Sequence, residues 1–128
     1  MGQDASSVIV ENAKTGGKKE TRLARFDLLP WDQLWHVAEL YGKGAEKYAV
    51  RNWEKSYDWS LSFAALHRHL VCFWEGESLD SETQCHHLAS VVFHALALMR
   101  FDQENPELDD RPLIKTRTMA SGTGSEFS

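Results

Sequence analysis

The chain has 128 residues, 42% hydrophobic and 26% charged, which suits a single globular domain. A net charge of −5 excludes a duplex-DNA binder, because neutralising phosphates needs a basic face; it leaves a nucleotide site open, since metal ions can supply positive charge. The sequence shows no membrane-length apolar run and no apolar leader core, and its two cysteines, Cys72 and Cys85, form no CxxC pair. The expectation is a cytoplasmic protein with free thiols, each in a helical segment and with no membrane partner.

In chain order, residues 1–22 mix Gly, Ser, Lys and Thr without a sustained period and read as a flexible arm. A short lead-in, RLARFDLLPW, follows, with Pro30 just inside a helix start. From Trp31 to about Tyr48 apolar residues recur at helical spacing, at Trp31, Leu34, Trp35, Ala38, Tyr41, Ala45 and Tyr48. His36, Glu39, Lys43 and Glu46 form one polar stripe on the other face, and Gly42 and Gly44 weaken the helix locally. A turn-rich loop, VRNWEKSYDWS, precedes a second helix, capped by Ser60, running to about Glu75 and closed by Gly76. Its interior, LSFAALHRHLVCFW, is apolar nearly all round and calls for burial on most sides. A third helix is predicted from Asp80 or Ser81, where Ser81 and Gln84 fit a capping box. Its buried stripe is Leu88, Val91, Val92, Ala95, Leu98 and Met99; His87, Ser90 and His94 line another. Pro106 and Pro112 bar a continuing helix, so residues 102–128 read as an extended arm or tail. No strand is expected. The fold class is therefore all-α, a helical bundle over residues 23–101.

Chemistry concentrates in GESLDSETQCHHL, which gathers Glu77, Asp80, Glu82, His86 and His87. Carboxylates three or four residues apart can hold a divalent cation, with a histidine completing the set. The same residues also suit a helix N-terminus, with Asp80 as a cap and Glu77 and Glu82 solvated. His36 and Glu39 are a solvated pair unless an antiparallel bundle turns their acidic stripe toward Asp80. Arg68 and His69 interrupt an apolar helix, and a buried guanidinium needs an anion: Asp27, Glu77 or a substrate phosphate. Lys47 offers a phosphate contact, and Asn52 or Trp53 a base contact. GKGAEKY lacks the spacing of a phosphate-cradling loop, and neither cysteine has an activating partner at diagnostic spacing. Activation of water by metal is the catalytic route left open. The rival reading is a non-enzymatic helical interaction module whose Trp-rich face meets a partner.

The strings RFDLLP, GAEKYAVRNW, ALHRHL and GESLDSETQCHHLA, in that order, resemble the phage and bacterial dATP/dGTP diphosphohydrolase family, a branch of the MazG-like all-α NTP pyrophosphatases. The resemblance covers about residues 25–101. It implies an oligomeric helical bundle, a dimer or tetramer, with Mg²⁺ or Mn²⁺ held by carboxylates from two helices. The implied reaction converts dGTP and dATP to monophosphate and pyrophosphate, with dGMP feeding 2-aminoadenine nucleotide synthesis in a phage. On that reading Glu39, Glu77, Asp80 and His87 serve the metal, and Glu39, Glu46 or Glu82 serves catalysis, the last two as groups orienting the water. Lys47, Asn52, Trp53, Arg68 and His69 contact the substrate. Ser90 stands where many members carry a second histidine.

Overall fold

The structure is a computed structural model that describes residues 7–112. The described residues separate into two compact units that divide after Trp35.

The first unit holds an antiparallel hairpin of β1 (Ser7–Glu11) and β2 (Lys18–Arg22), with Ser7 opposite Arg22 and Glu11 opposite Lys18. This corrects the expectation of no strand. The β-branched run Val8–Val10 suits a pleated ribbon, and Asn12 supplies the turn. Its Oδ1 accepts the Lys14 and Thr15 N–H groups at 2.9 Å, while its backbone N–H reaches the Gly17 carbonyl at 2.7 Å. Gly16 takes φ +74, a region open to glycine. The apolar run is too short, and KKETR too polar, for alternation to signal a sheet. A 3-10 turn, Phe26–Leu28, follows, with Arg25 paired to Asp27 at 2.7 Å.

Helix α1 spans Trp31–Lys47, as the periodicity requires. Pro30 sits one residue earlier than expected, its carbonyl accepting Gln33 and Leu34 N–H groups. Gly42 and Gly44 lie inside the helix and do not end it.

In the second unit, α2 (Trp59–Trp74) and α3 (His87–Glu104) form an antiparallel pair. Trp59 Nε1 donates to the Asn105 carbonyl at one end, Ser62 meets His94 in the middle, and His69 meets His87 at the other end. Trp59, Ala97 and the fully buried Phe101 form the core, with Trp53, Tyr57, Leu98 and Leu108 packed around them. The α1 residues from His36 onward join through Tyr41, whose ring lies 5.0 Å from Phe93 and 6.2 Å from Trp53. Lys43 Nζ donates to the Thr83 carbonyl.

Two helix starts differ from expectation. Ser60 does not cap α2: Asp58 takes the cap position, and Ser60 gives its N–H and hydroxyl to the Asp110 carboxylate. The C-terminal segment thus satisfies a first-turn donor that a local side chain would otherwise serve. Helix α3 begins at His87, not near Asp80. Gln84 adopts φ 63, which breaks the helical path, and its side chain returns to the Ser81 carbonyl rather than closing a capping box. Cys85 therefore lies in a loop, although Cys72 is helical as expected; both thiols are free. The actual cap is His86, whose Nδ1 accepts the Leu88 N–H at 3.0 Å.

Helix α3 stops before Pro106, whose ring and missing N–H bar continuation, and a 3-10 turn, Pro106–Leu108, follows. The tail reading beyond residue 112 lies outside the described residues. Among the described residues no helix is long and apolar enough to cross a membrane.

Candidate active site

The α2–α3 connection builds the site. Helix α2 ends in a Schellman motif: the Gly76 N–H bonds the Phe73 carbonyl and the Glu77 N–H bonds the Cys72 carbonyl, both at 3.0 Å. Gly76 provides the required left-handed residue at φ +106, confirming its predicted closing position. Leu79 and His86 then pair as an antiparallel bridge, while Asp80 and Cys85 close a tight loop by a 2.8 Å backbone bond. Asp80 Oδ1 accepts the Glu82 N–H at 2.9 Å, which fixes the carboxylate within the loop.

This fold-back brings Asp80 to His69 of α2 and His87 of α3. One ligand atom from each lies within 4.8 Å of the others; the two imidazoles are buried and the Asp80 side chain keeps 12% of its surface. His69 Nδ1 and His87 Nδ1 are 2.9 Å apart. His87 Nε2 lies 2.6 Å from Glu77 Oε1, so its N–H donates to that carboxylate and leaves a lone pair on Nδ1. His69 then donates from Nδ1 to close the chain. Asp80 Oδ2 is 3.8 Å from His69 Nδ1, too long for a hydrogen bond. Burial, the largest effect, and the nearby Arg68 charge push the His69 pKa down, favouring the neutral imidazole.

A second hydrogen-bonded line lies beside this cluster. Tyr57 Oη and Ser62 Oγ are 2.7 Å apart, and Ser62 Oγ is 2.9 Å from His94 Nδ1. His94 stacks on His69 at 6.2 Å, and burial lowers its pKa to about 4. Ser62 has no exposed surface. The sequence marks His94 as part of a stripe with His87 and Ser90, but it carries no sign of the Ser62 contact, which joins residues 32 positions apart.

His69 and Asp80 of the first group and Tyr57 and His94 of the second border a cavity of about 1040 Å³, at the top of the roughly 300–1,000 Å³ range typical of small-ligand sites. Tyr41, Trp53 and Phe93 give it an aromatic wall, their rings meeting at 5.0–6.3 Å. Burial raises the Tyr41 phenol pKa, keeping its hydroxyl protonated. Lys47, Asn52 and Arg68 border the same space.

A family model described as dATP/dGTP diphosphohydrolase, N-terminal, matches residues 13–111. The chain belongs to this family. The description places it among hydrolases acting on dATP and dGTP. No curated protein and no solved structure matches the chain.

Within this family member, the expected residues divide by location. Asp80 and His87 stand together at the buried cluster, and Lys47, Asn52, Trp53, Arg68 and Glu82 line the cavity with His69. His69, expected at the substrate, belongs to the buried donor group. Glu77 reaches the cluster through His87 Nε2, from the side opposite His69. The structure does not bring Glu39 or Glu46 to it: among the described residues, neither joins a clustered donor group or lines the cavity. Glu39 is exposed and 3.8 Å from His36. The expected buried guanidinium is also corrected. Arg68 is exposed on the cavity wall, because α2 turns this side of an apolar helix toward open space.

Proposed function

We propose that the chain is a metal-dependent pyrophosphohydrolase that converts dGTP and dATP to monophosphate and pyrophosphate in the cavity beside His69, Asp80 and His87. The observation that carries this reading is the gathering of one ligand atom each from His69, Asp80 and His87 within 4.8 Å of one another, with His69 and Asp80 lining that cavity. The donors fit a divalent ion: Asp80 Oδ2 accepts no hydrogen bond among the described residues, Glu77 turns the His87 Nδ1 lone pair toward the cluster, and a shift of the His69 proton from Nδ1 to Nε2 would free the second nitrogen. Two nitrogens and one oxygen favour Mn²⁺ over Mg²⁺, which prefers oxygen alone. The bound ion would supply charge neutralisation at phosphate and a lowered pKa for bound water.

The side chains have separable tasks. Arg68 and Lys47 hold the triphosphate by charge-assisted hydrogen bonds. Trp53, Tyr41 and Phe93 give the base a flat apolar wall, and Asn52 offers it a hydrogen bond. Glu82, on the cavity rim, takes a proton from the attacking water. In a phage with a 2-aminoadenine genome, the dGMP formed would supply synthesis of that nucleotide; the resemblance of the four sequence strings supports this role.

The same proposal includes a homo-oligomer. Phe63, Leu70, Val71 and Trp74 on α2, and Val92, Leu96 and Met99 on α3, are exposed; Trp74 retains 85% of its surface. A second copy covering these faces would remove a large apolar area from water.

The test is chromatographic analysis of products from dGTP and dATP with Mn²⁺ or Mg²⁺, with and without EDTA. Monophosphate and pyrophosphate are expected only with metal; nucleoside plus intact triphosphate, or no turnover, overturns the reading. Asp80→Asn can keep the Glu82 N–H bond and should lower turnover by about 100-fold or more while leaving helicity by circular dichroism intact.

A further inference from the structure

His87 is a two-faced residue: Nδ1 points to the buried cluster and Nε2 points away from it, toward Glu77. On that outer side one ligand atom each from Cys72, Glu77 and His87 lies within 4.8 Å of the others. The Schellman turn explains the meeting. It sets the residue two past the helix cap against the residue three before it, usually as an apolar pair. Here those positions are Glu77 and Cys72, joined by the 3.0 Å Glu77 N–H to Cys72 carbonyl bond. A thiol and a carboxylate thus occupy a place that ordinarily carries greasy side chains, with an imidazole nitrogen facing them. Cys72 is half-buried and Glu77 exposed, so the outer group is open to an ion from solvent.

We propose that Cys72, Glu77 and His87 form a second cation site, selective for thiophilic ions such as Zn²⁺ and Cd²⁺, that competes with the first site for His87. Sulfur, nitrogen and carboxylate oxygen together make a zinc-type donor set, whereas the inner set lacks sulfur. Binding releases the Cys72 thiol proton to solvent. The ion takes the His87 Nε2 electron pair, and the displaced proton moves to Nδ1, the remaining ring nitrogen. There it donates to His69 Nδ1, whose own proton shifts to Nε2, and so closes the nitrogen needed at the inner cluster. No electron transfer is involved. Thiophilic ions should therefore inhibit the enzyme without occupying the inner donors. This consequence rests on the proposed role of His69, Asp80 and His87; the outer site itself does not.

The experiment is a Cd²⁺ titration of the full chain, following the thiolate-to-cadmium charge-transfer band in the ultraviolet. A band that saturates at a single Cd²⁺ per chain is expected, lost in Cys72→Ser, retained in Cys85→Ser, and needing more Cd²⁺ in Glu77→Gln. Circular dichroism checks that each variant is folded. Absence of the band from the wild type, or its survival in Cys72→Ser, overturns the site. In the activity arm, with Mn²⁺ supplied, inhibition by Zn²⁺ or Cd²⁺ should weaken by about tenfold or more in Cys72→Ser. Equal inhibition of both proteins, with the band present, overturns the competition for His87. If no metal-dependent turnover exists at all, the proposed function fails while the band still decides the outer site.

Discussion

Acidification should destabilise this protein through His94 well before its carboxylates titrate, and His94→Gln should remove most of that sensitivity. Burial lowers the folded-state pKa of His94 to about 4, whereas an unfolded histidine titrates near 6.5. The unfolded chain therefore binds more protons between these values, so stability is complete above about pH 6.5 and falls as the pH drops through that window toward 4. Integrating the two titrations from pH 7 to pH 5 gives a loss of about 2 kcal/mol from this residue. His69, whose pKa is lowered first by burial, adds a loss of the same sign. Glutamine keeps a polar side chain that can reach Ser62, but it cannot take up a proton there. Urea unfolding followed by tryptophan fluorescence, at pH 7 and pH 5, measures the difference; Trp59 in the core supplies a buried reporter. The variant should lose about 2 kcal/mol less than the wild type on going to pH 5. Equal losses in the two proteins would refute the claim that burial keeps His94 neutral.

Three further outcomes follow from specific contacts. Phe101→Ala, at a side chain with no exposed surface in the Trp59–Ala97 core, should cost about 3–5 kcal/mol, measured by the same urea titration. Asp110→Ala should lower Tm by a few degrees in calorimetry, because the Ser60 N–H and hydroxyl lose their acceptor, and Asp110→Asn should recover part of the loss. Arg68→Gln should raise the KM for dGTP by about tenfold or more in steady-state assays without changing helicity, since the side chain lines the cavity and supports no buried ion pair. An unchanged KM would remove Arg68 from the substrate contacts.

The local and the long-range parts of this protein were unequally readable. Period 3.6 spacing sets α1 at Trp31–Lys47, and Gly76 ends α2, because both follow from interactions within a few residues. The clustering of Glu77, Asp80 and His87 in one short string marks the region of chemistry for the same reason. The hairpin escapes because β1 and β2 are short and a polar strand shows no alternation. Spacing suggests a helix from Ser81, yet the structure folds Leu79 back on His86 and lets Gln84 take a positive φ. That loop satisfies its backbone through Asp80 and Cys85, a choice made by burial against α2 rather than by local propensity.

By itself, then, the sequence determined the presence of three helices, though not the start of α3, together with the acidic charge and the family to which the four strings point. Tertiary structure alone decided which donors meet. Ser62 reaches His94 and His69 reaches His87 only because α2 and α3 run antiparallel at that particular register. Glu39 stays exposed, 3.8 Å from His36, which is the solvated pair that the spacing allowed, and α1 does not turn that stripe toward Asp80. Helical period states which residues share a face; it is silent on which face another helix will cover. That is settled by the packing of Trp59, Ala97 and Phe101, and the polar groups that converge follow from it.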